Sequence, residues 1–172
     1  WIRVVTPILL PALGGAICNR AGVVNLGLEG IMLLSALAGV LGSAFGGNLL
    51  AGLAAGLGTA LVVSLVFAYF HLNLKANATI CGTAINTFAS GFTVLLLFTI
   101  TGEKGTSASL KSFSFPTVNI PLIEDIPVIG KILSGHNLMT YVALLAVLVV
   151  WFLLYKMPLG LRIRSVGENP DA

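Results

Sequence analysis

The chain has 172 residues, of which 57% are hydrophobic and 9% are charged, with nine Lys and Arg against six Asp and Glu. Soluble domains carry about 25% charged residues, so this composition excludes a chain whose whole surface faces water. Lipid must be the solvent for much of it. The net charge is +3, but the sequence has no basic run interleaved with aromatic residues. It therefore lacks the pattern that is typical of a nucleic-acid-binding surface.

Five apolar segments are the predicted elements of the chain. A membrane-spanning helix needs about 20 residues, and none of the segments has the period-two alternation of a barrel strand. We therefore predict an all-α fold, a polytopic transmembrane helix bundle with about five spans, the first of them short. The segments are 4–18, 23–45, 49–70, 78–100 and 138–155.

The second segment contains an acidic residue, Glu29, inside an apolar run, with Asn25 four residues earlier. A charge at the centre of a span costs at least about 2.5 kcal/mol, so such residues usually pair or face a functional cavity. Glycines at 22, 27 and 30 permit a break in the helix. We predict that Asn25 and Glu29 share one helical face that lines a functional cavity. The alternative is that Glu29 lies near a membrane interface and has a structural role, in which it caps a helix or forms a pair such as one with Arg20.

The fourth segment carries a polar stripe that includes Thr83 and Asn86. Its members recur at spacings of three and four residues, which places them on one helical face. Two interpretations stay open, namely hydrogen bonds between helices and a face that contacts substrate. Asn86 stands out, because an amide has four hydrogen-bonding sites to satisfy. The stripe is Thr79, Thr83, Asn86, Ser90 and Thr93.

The remaining segments define the predicted topology. Lys156, Arg162 and Arg164 follow the last span, and the positive-inside rule places them in the cytoplasm. We expect residues 1–172 to form a single transmembrane domain, truncated at both ends. Within it, 101–137 is an extracytoplasmic loop with a short surface helix between 120 and 133, and 158–172 is a cytoplasmic segment.

The sequence lacks the residue patterns of metal sites, of phosphate-binding loops and of catalytic triads. Cys18 and Cys81 lie in apolar runs, and His71 and His136 have no cysteine at ligand spacing. We therefore expect no metal site and no cofactor. The chain has no phosphate-binding Gly-rich motif ending in Lys-Ser or Lys-Thr, and no catalytic triad pattern, so we expect that it is not an enzyme.

Three stretches carry a family resemblance. They are Ala-Gly-Val-Val-Asn-Leu-Gly-Leu-Glu-Gly at 21–30, Gly-Thr-Ala-Ile-Asn at 82–86, and the segment 158–172 with Leu-Arg-Ile-Arg-Ser-Val-Gly-Glu-Asn-Pro. These motifs resemble the permeases of bacterial ABC importers that serve branched-chain amino acids, simple sugars and nucleosides. The residues of these motifs, together with those of the loop at 120–130, are most similar to the permeases of the nucleoside branch.

The resemblance implies partners and roles. It implies a small-molecule substrate, a second permease subunit, a separate ABC ATPase subunit and an extracytoplasmic substrate-binding protein, in a bacterial cytoplasmic membrane. The Gly-Glu-Asn-Pro pattern is similar to the helix that couples such permeases to the ATPase, which assigns coupling to Gly167, Glu168, Asn169 and Pro170. Asn169 and Pro170 form a good helix start, so a new helix is expected there. Glu124 and Asp125 are the expected contacts for the binding protein.

The leading hypothesis is the permease subunit of a nucleoside importer, with Asn25, Glu29, Thr83 and Asn86 along its pathway. One alternative is a permease for simple sugars or branched-chain amino acids. Another, from a different class, is a secondary carrier or channel that uses Glu29 as an ion site.

Overall fold

The structure is a computed structural model that describes residues 2–102, 106, 113, 117–118 and 136–169. These ranges contain α-helices, one π-helical turn at Tyr69–Asn73, and two short strands, β1 (Thr117–Val118) and β2 (His136–Asn137). The α-helices are α1 (Ile2–Arg20), α2 (Leu28–Gly46), α3 (Leu49–Ala68), α4 (Ala78–Thr101), α5 (Leu138–Lys156) and α6 (Pro158–Glu168).

The helices confirm the predicted all-α transmembrane bundle. In the described part of the chain, four helical segments are long and apolar enough to cross a membrane, and α1 is a shorter apolar helix. Many large apolar side chains point outward, for example Leu57, Leu61 and Leu65, which repeat every four residues on α3 and are 60–64% exposed. A row of this kind is what a lipid-facing helix presents, because hydrocarbon and not water is its solvent.

The chain divides into two compact units. The first combines Trp1–Val23 with Phe115–Ala172, and the second is Val24–Ser114. The first unit therefore contains α1, α5 and α6, and the second contains α2, α3, the π-helical turn and α4.

In the first unit, α1 and α5 pack side by side in parallel. Near their starts Thr6 Oγ1 donates to Thr140 Oγ1 at 3.3 Å, and at their ends Arg20 Nη2 donates to Tyr155 Oη at 3.3 Å. α1 therefore matches the length of α5. Two parallel spans need an odd number of crossings between them along the chain, and α2, α3 and α4 supply three. This arrangement supports α1 as a fifth span.

Helix α6 follows α5 after a sharp turn. Pro158 is its first residue, a favoured position because proline has no N–H to leave unpaired there. Gly160 is buried, and a Cβ at this position would collide with the carbonyl oxygens of Leu153 and Leu154. The sequence analysis did not predict this helix, although Pro158 is a start signal.

The second unit is built on the hairpin of α2 and α3. Small residues let the two backbones approach closely. A Cβ at Gly42 would lie 2.6 Å from the Ala55 Cβ, and one at Gly52 would lie 2.7 Å from the Gly39 carbonyl oxygen. Helix α4 also packs against α2, and its first turn is capped by Asn77, whose side chain accepts from Thr79 N.

The long connection between α4 and α5 is described only in part. Helix α4 ends at Gly102, whose φ of 74° is the left-handed conformation that glycine supplies at helix ends. Strands β1 and β2 pair in antiparallel fashion, with Thr117 opposite Asn137. Asn137 then caps α5 by accepting from Met139 N at 3.2 Å. The surface helix predicted between 120 and 133 lies outside the described residues.

Candidate functional site

The helix predicted from residue 23 begins only at Leu28. Gly22 has a φ of +82°, a conformation that other residues rarely adopt. The Asn25 side chain then accepts a hydrogen bond from Gly27 N at 2.9 Å, which closes a local turn that competes with helix. The prediction that Asn25 and Glu29 share a helical face is therefore wrong, because Asn25 lies in the break and Glu29 in the first turn of α2.

The side chain of Asn86 reaches from α4 to the start of α2. Its Oδ1 accepts from Gly30 N at 2.7 Å, and its Nδ2 donates to the Leu26 carbonyl at 2.9 Å. The N–H groups of a first helical turn have no partner in their own helix. Asn86 satisfies one of them and also holds the segment that precedes the helix.

Close backbone contact explains why this cap comes from another helix. Gly27 occupies the N-cap position of α2 and has no side chain to cap with. A Cβ at Gly82 on α4 would lie 2.7 Å from Gly27 N, and a Cβ at Gly30 would lie 2.9 Å from Asn86 Oδ1. Glycine at these positions lets α4 touch the break, and Asn86, one turn after Gly82, supplies the missing acceptor.

Glu29 is the second residue of α2 and is exposed. Its negative charge lies at the positive end of the helix dipole, a favourable position. Among the described residues its carboxylate has no hydrogen-bond or ion-pair partner. The described side-chain partner of Arg20 is Tyr155.

The polar stripe of α4 divides into two kinds of side chain. Thr83 is exposed, and its hydroxyl donates to the carbonyls of Thr79 and Ile80 in its own helix. Ser90 and Thr93 also bond to their own helix, and Thr93 is buried. These hydroxyls do not join helices to one another. Within the described stripe, Asn86 is the member that bonds to a different helix.

Three of the predicted coupling residues lie at the end of α6. Gly167 and Glu168 form its last turn, and Asn169 follows in extended conformation with its N–H bonded to the Ser165 carbonyl. A Cβ at Gly167 would collide with the Arg20 carbonyl oxygen, and a Cβ at Gly22 would lie 3.2 Å from Gly167 Cα. The end of α6 therefore touches the backbone at the end of α1.

The other predicted positions fall outside the described residues. These are Glu124, Asp125 and Pro170, and with Pro170 the helix expected to begin there. Among the described residues no group of three His, Cys, Asp or Glu side chains forms a metal site, and both Cys18 and Cys81 are free thiols.

Sequence reasoning missed the backbone partners of the site. Leu26 and Gly30 take part through their main-chain atoms, and Gly82 through the absence of a side chain. The glycines at 27, 30 and 82 were the available signal in the sequence, but the sequence does not show which backbone segments come into contact at them.

Comparison with known proteins gives a family match over the entire chain. The family described as "Branched-chain amino acid transport system / permease component" matches residues 1–172. No solved structure matches the chain.

Three relatives cover nearly all of this chain. The guanosine ABC transporter permease protein NupQ of Bacillus subtilis is 40% identical over 96% of the chain. TsgC13 of Haloferax volcanii, an ABC transporter permease protein provisionally named for glucose, is 37% identical over 99%. The nucleoside ABC transporter permease protein NupC of Lactococcus lactis is 32% identical over 97%. The chain spans about half the length of these relatives, between 51% and 54%.

Proposed function

The chain belongs to the family of permease components of branched-chain amino acid transport systems, and from this premise we propose that it is part of the permease subunit of an ABC importer for nucleosides. It is a multi-pass protein of the cytoplasmic membrane and a transport component. The proposed substrate rests on the similarity of the chain to two relatives. It is 40% identical to a permease named for guanosine and 32% identical to one named for nucleosides.

The charge distribution of the spans supports a neutral substrate. Helices α2 to α5 contain two charged residues, Glu29 and Lys156, and Lys156 is the last residue of α5. A nucleoside has no charge to neutralise and is held by hydrogen bonds and apolar contacts. The proposed pathway therefore passes the break before α2 and the adjoining face of α4, with Asn25, Glu29, Thr83 and Asn86.

Within this pathway the described contacts divide the four residues by role. The amides of Asn25 and Asn86 are engaged with backbone atoms, so we assign them to holding the break in shape. Glu29 is exposed and has no partner among the described residues, so we assign it to contact with the substrate. Thr83 is exposed on the same unit and offers its oxygen as an acceptor.

The partners are proposed with the function. An ATPase subunit supplies the energy, a second permease subunit completes the pathway, and an extracytoplasmic binding protein delivers the substrate near Glu124 and Asp125. The end of α6 transmits the ATPase motion through Gly167 and Glu168, and we assign the same role to Asn169 and Pro170, which follow them in the sequence. Its backbone contact with the end of α1 supports this role, because α1 leads along the chain into the break.

The test is uptake by the full-length permease, reconstituted with its ATPase and binding protein in proteoliposomes. Labelled guanosine is taken up with excess unlabelled nucleoside, glucose or leucine as competitor, with and without ATP. We expect competition by nucleosides alone and dependence on ATP. Competition by glucose or leucine equal to that of guanosine contradicts the substrate, and uptake without ATP contradicts the ABC importer in favour of a carrier.

A further inference from the structure

Two arginines converge on one tyrosine in the first unit. Arg20, the last residue of α1, donates from Nη2 to Tyr155 Oη at 3.3 Å. Arg164 of α6 places its guanidinium carbon 5.4 Å from the centroid of the same ring. Three helices therefore bring two positive charges to the end of α5.

These two charges are not neutralised by the described part of the chain. The phenol is a neutral acceptor, and neither guanidinium forms an ion pair with a described residue. Each guanidinium has five N–H donors, and the described side-chain bonds occupy one on Arg20 and one on Arg164, whose Nε lies 3.4 Å from the Gly160 carbonyl oxygen. The remaining donors suit an anion with several oxygens.

The face of α5 that carries Tyr155 is apolar and open. Leu144, Leu148, Trp151 and Tyr155 follow one another at spacings of four, three and four residues, so they share a face. They are 46%, 67%, 51% and 48% exposed, respectively. The Trp151 and Tyr155 rings lie 6.4 Å apart, and such aromatic pairs are typical of the level of lipid headgroups.

We infer that Arg20, Arg164 and Tyr155 bind the phosphate headgroup of an anionic phospholipid, whose acyl chains lie along the Leu144 to Trp151 face. Unpaired basic residues at a span end are the usual partners of anionic headgroups. The charge would also attract a soluble phosphate or an acidic protein segment, but neither needs the apolar face that continues from the cluster. The inference goes beyond the proposed transport function and is tested without measuring transport.

The test uses the full-length permease purified in detergent, with Trp151 as the reporter. Phosphatidylglycerol brominated on its acyl chains is titrated against the protein, and brominated phosphatidylcholine is titrated in parallel. The signal from Trp151 is the difference in quenching between the wild type and Trp151→Phe. We expect phosphatidylglycerol to quench Trp151 at a lower concentration than phosphatidylcholine does. This first comparison needs only folded wild-type protein and the conservative Trp151→Phe variant.

Charge variants then locate the site. Each arginine near a membrane surface contributes about fivefold to anionic-lipid binding, so Arg20→Gln with Arg164→Gln should weaken phosphatidylglycerol quenching by about 25-fold. The matched control is Lys156→Gln with Arg162→Gln, which removes the same charge from the same region. We expect that control to retain the preference for phosphatidylglycerol.

Three outcomes overturn the inference. Equal quenching by the two lipids shows that the face is covered by bulk lipid without selection. Equal loss in the two double variants shows a diffuse effect of surface charge. Displacement of the brominated lipid by millimolar inorganic phosphate shows a soluble phosphate site.

Discussion

The side-chain oxygen of Asn86 lies 2.7 Å from the backbone nitrogen of Gly30 and accepts its hydrogen bond. One amide on α4 thereby caps a helix whose own N-cap residue is glycine. The amide nitrogen of the same side chain donates to the Leu26 carbonyl, so both sides of the helix start depend on a single residue.

Asn86→Ala should lower the apparent stability of the full-length permease. The substitution leaves Gly30 N and the Leu26 carbonyl without their partner, and an unsatisfied group of this kind costs about 1–3 kcal/mol. The measurement is the midpoint of thermal unfolding in detergent. Thr87→Ala is the control, because its exposed hydroxyl bonds only within α4, and equal midpoints for the two variants would contradict the capping role.

Gly82→Ala and Gly91→Ala should change stability in opposite directions. A Cβ at Gly82 would lie 2.7 Å from Gly27 N, whereas a Cβ at Gly91 meets nothing within 4 Å. Overpacking costs about 1–3 kcal/mol, and alanine in an open helical position gains up to about 1 kcal/mol over glycine. Thermal unfolding of the two full-length variants measures the difference, and a Gly82→Ala protein as stable as the wild type would refute the close contact with the break.

Glu29→Gln should reduce nucleoside uptake while leaving the protein folded. The carboxylate has no described hydrogen-bond or ion-pair partner to lose, and its interaction with the helix dipole is worth about 0.3–1 kcal/mol, so we expect a loss of stability of about 1 kcal/mol or less. A charge-assisted hydrogen bond to the substrate is worth about 1.5–3 kcal/mol, which corresponds to a loss of about tenfold or more in uptake. Uptake is measured at equal membrane level, and normal uptake by this variant removes Glu29 from the pathway.

Gly167→Ala should separate ATP hydrolysis from transport. The new Cβ collides with the Arg20 carbonyl oxygen, which pushes the end of α6 away from the end of α1. We expect substrate-stimulated ATPase activity of the assembled transporter to change its ratio to uptake. Gly14→Ala is the control, because a Cβ there meets nothing within 4 Å. An unchanged ratio in Gly167→Ala would rule out coupling through this contact.

The spans were predictable because each is a long apolar run, and the predicted segments at 49–70 and 78–100 match α3 and α4 closely. The start of α2 was not predictable, since it depends on the left-handed conformation of Gly22 and on the turn that the Asn25 side chain closes. The sequence marked Asn86 as unusual. Its partners are backbone atoms of residues 56 and 60 positions away along the chain, and backbone atoms leave no signature in composition or spacing.

The hydroxyls of Thr83, Thr87 and Ser90 are exposed, and each donates its proton to a carbonyl of α4. What these groups still offer is the lone pairs of their oxygens. These three hydroxyls therefore accept hydrogen bonds from a molecule that lies against them and do not donate to it. A substrate that follows the proposed pathway along these hydroxyls would be recognised by its own O–H and N–H groups. For the proposed nucleoside substrate, replacing ribose hydroxyls by fluorine should remove that recognition, while replacing ring nitrogens that only accept should leave it intact.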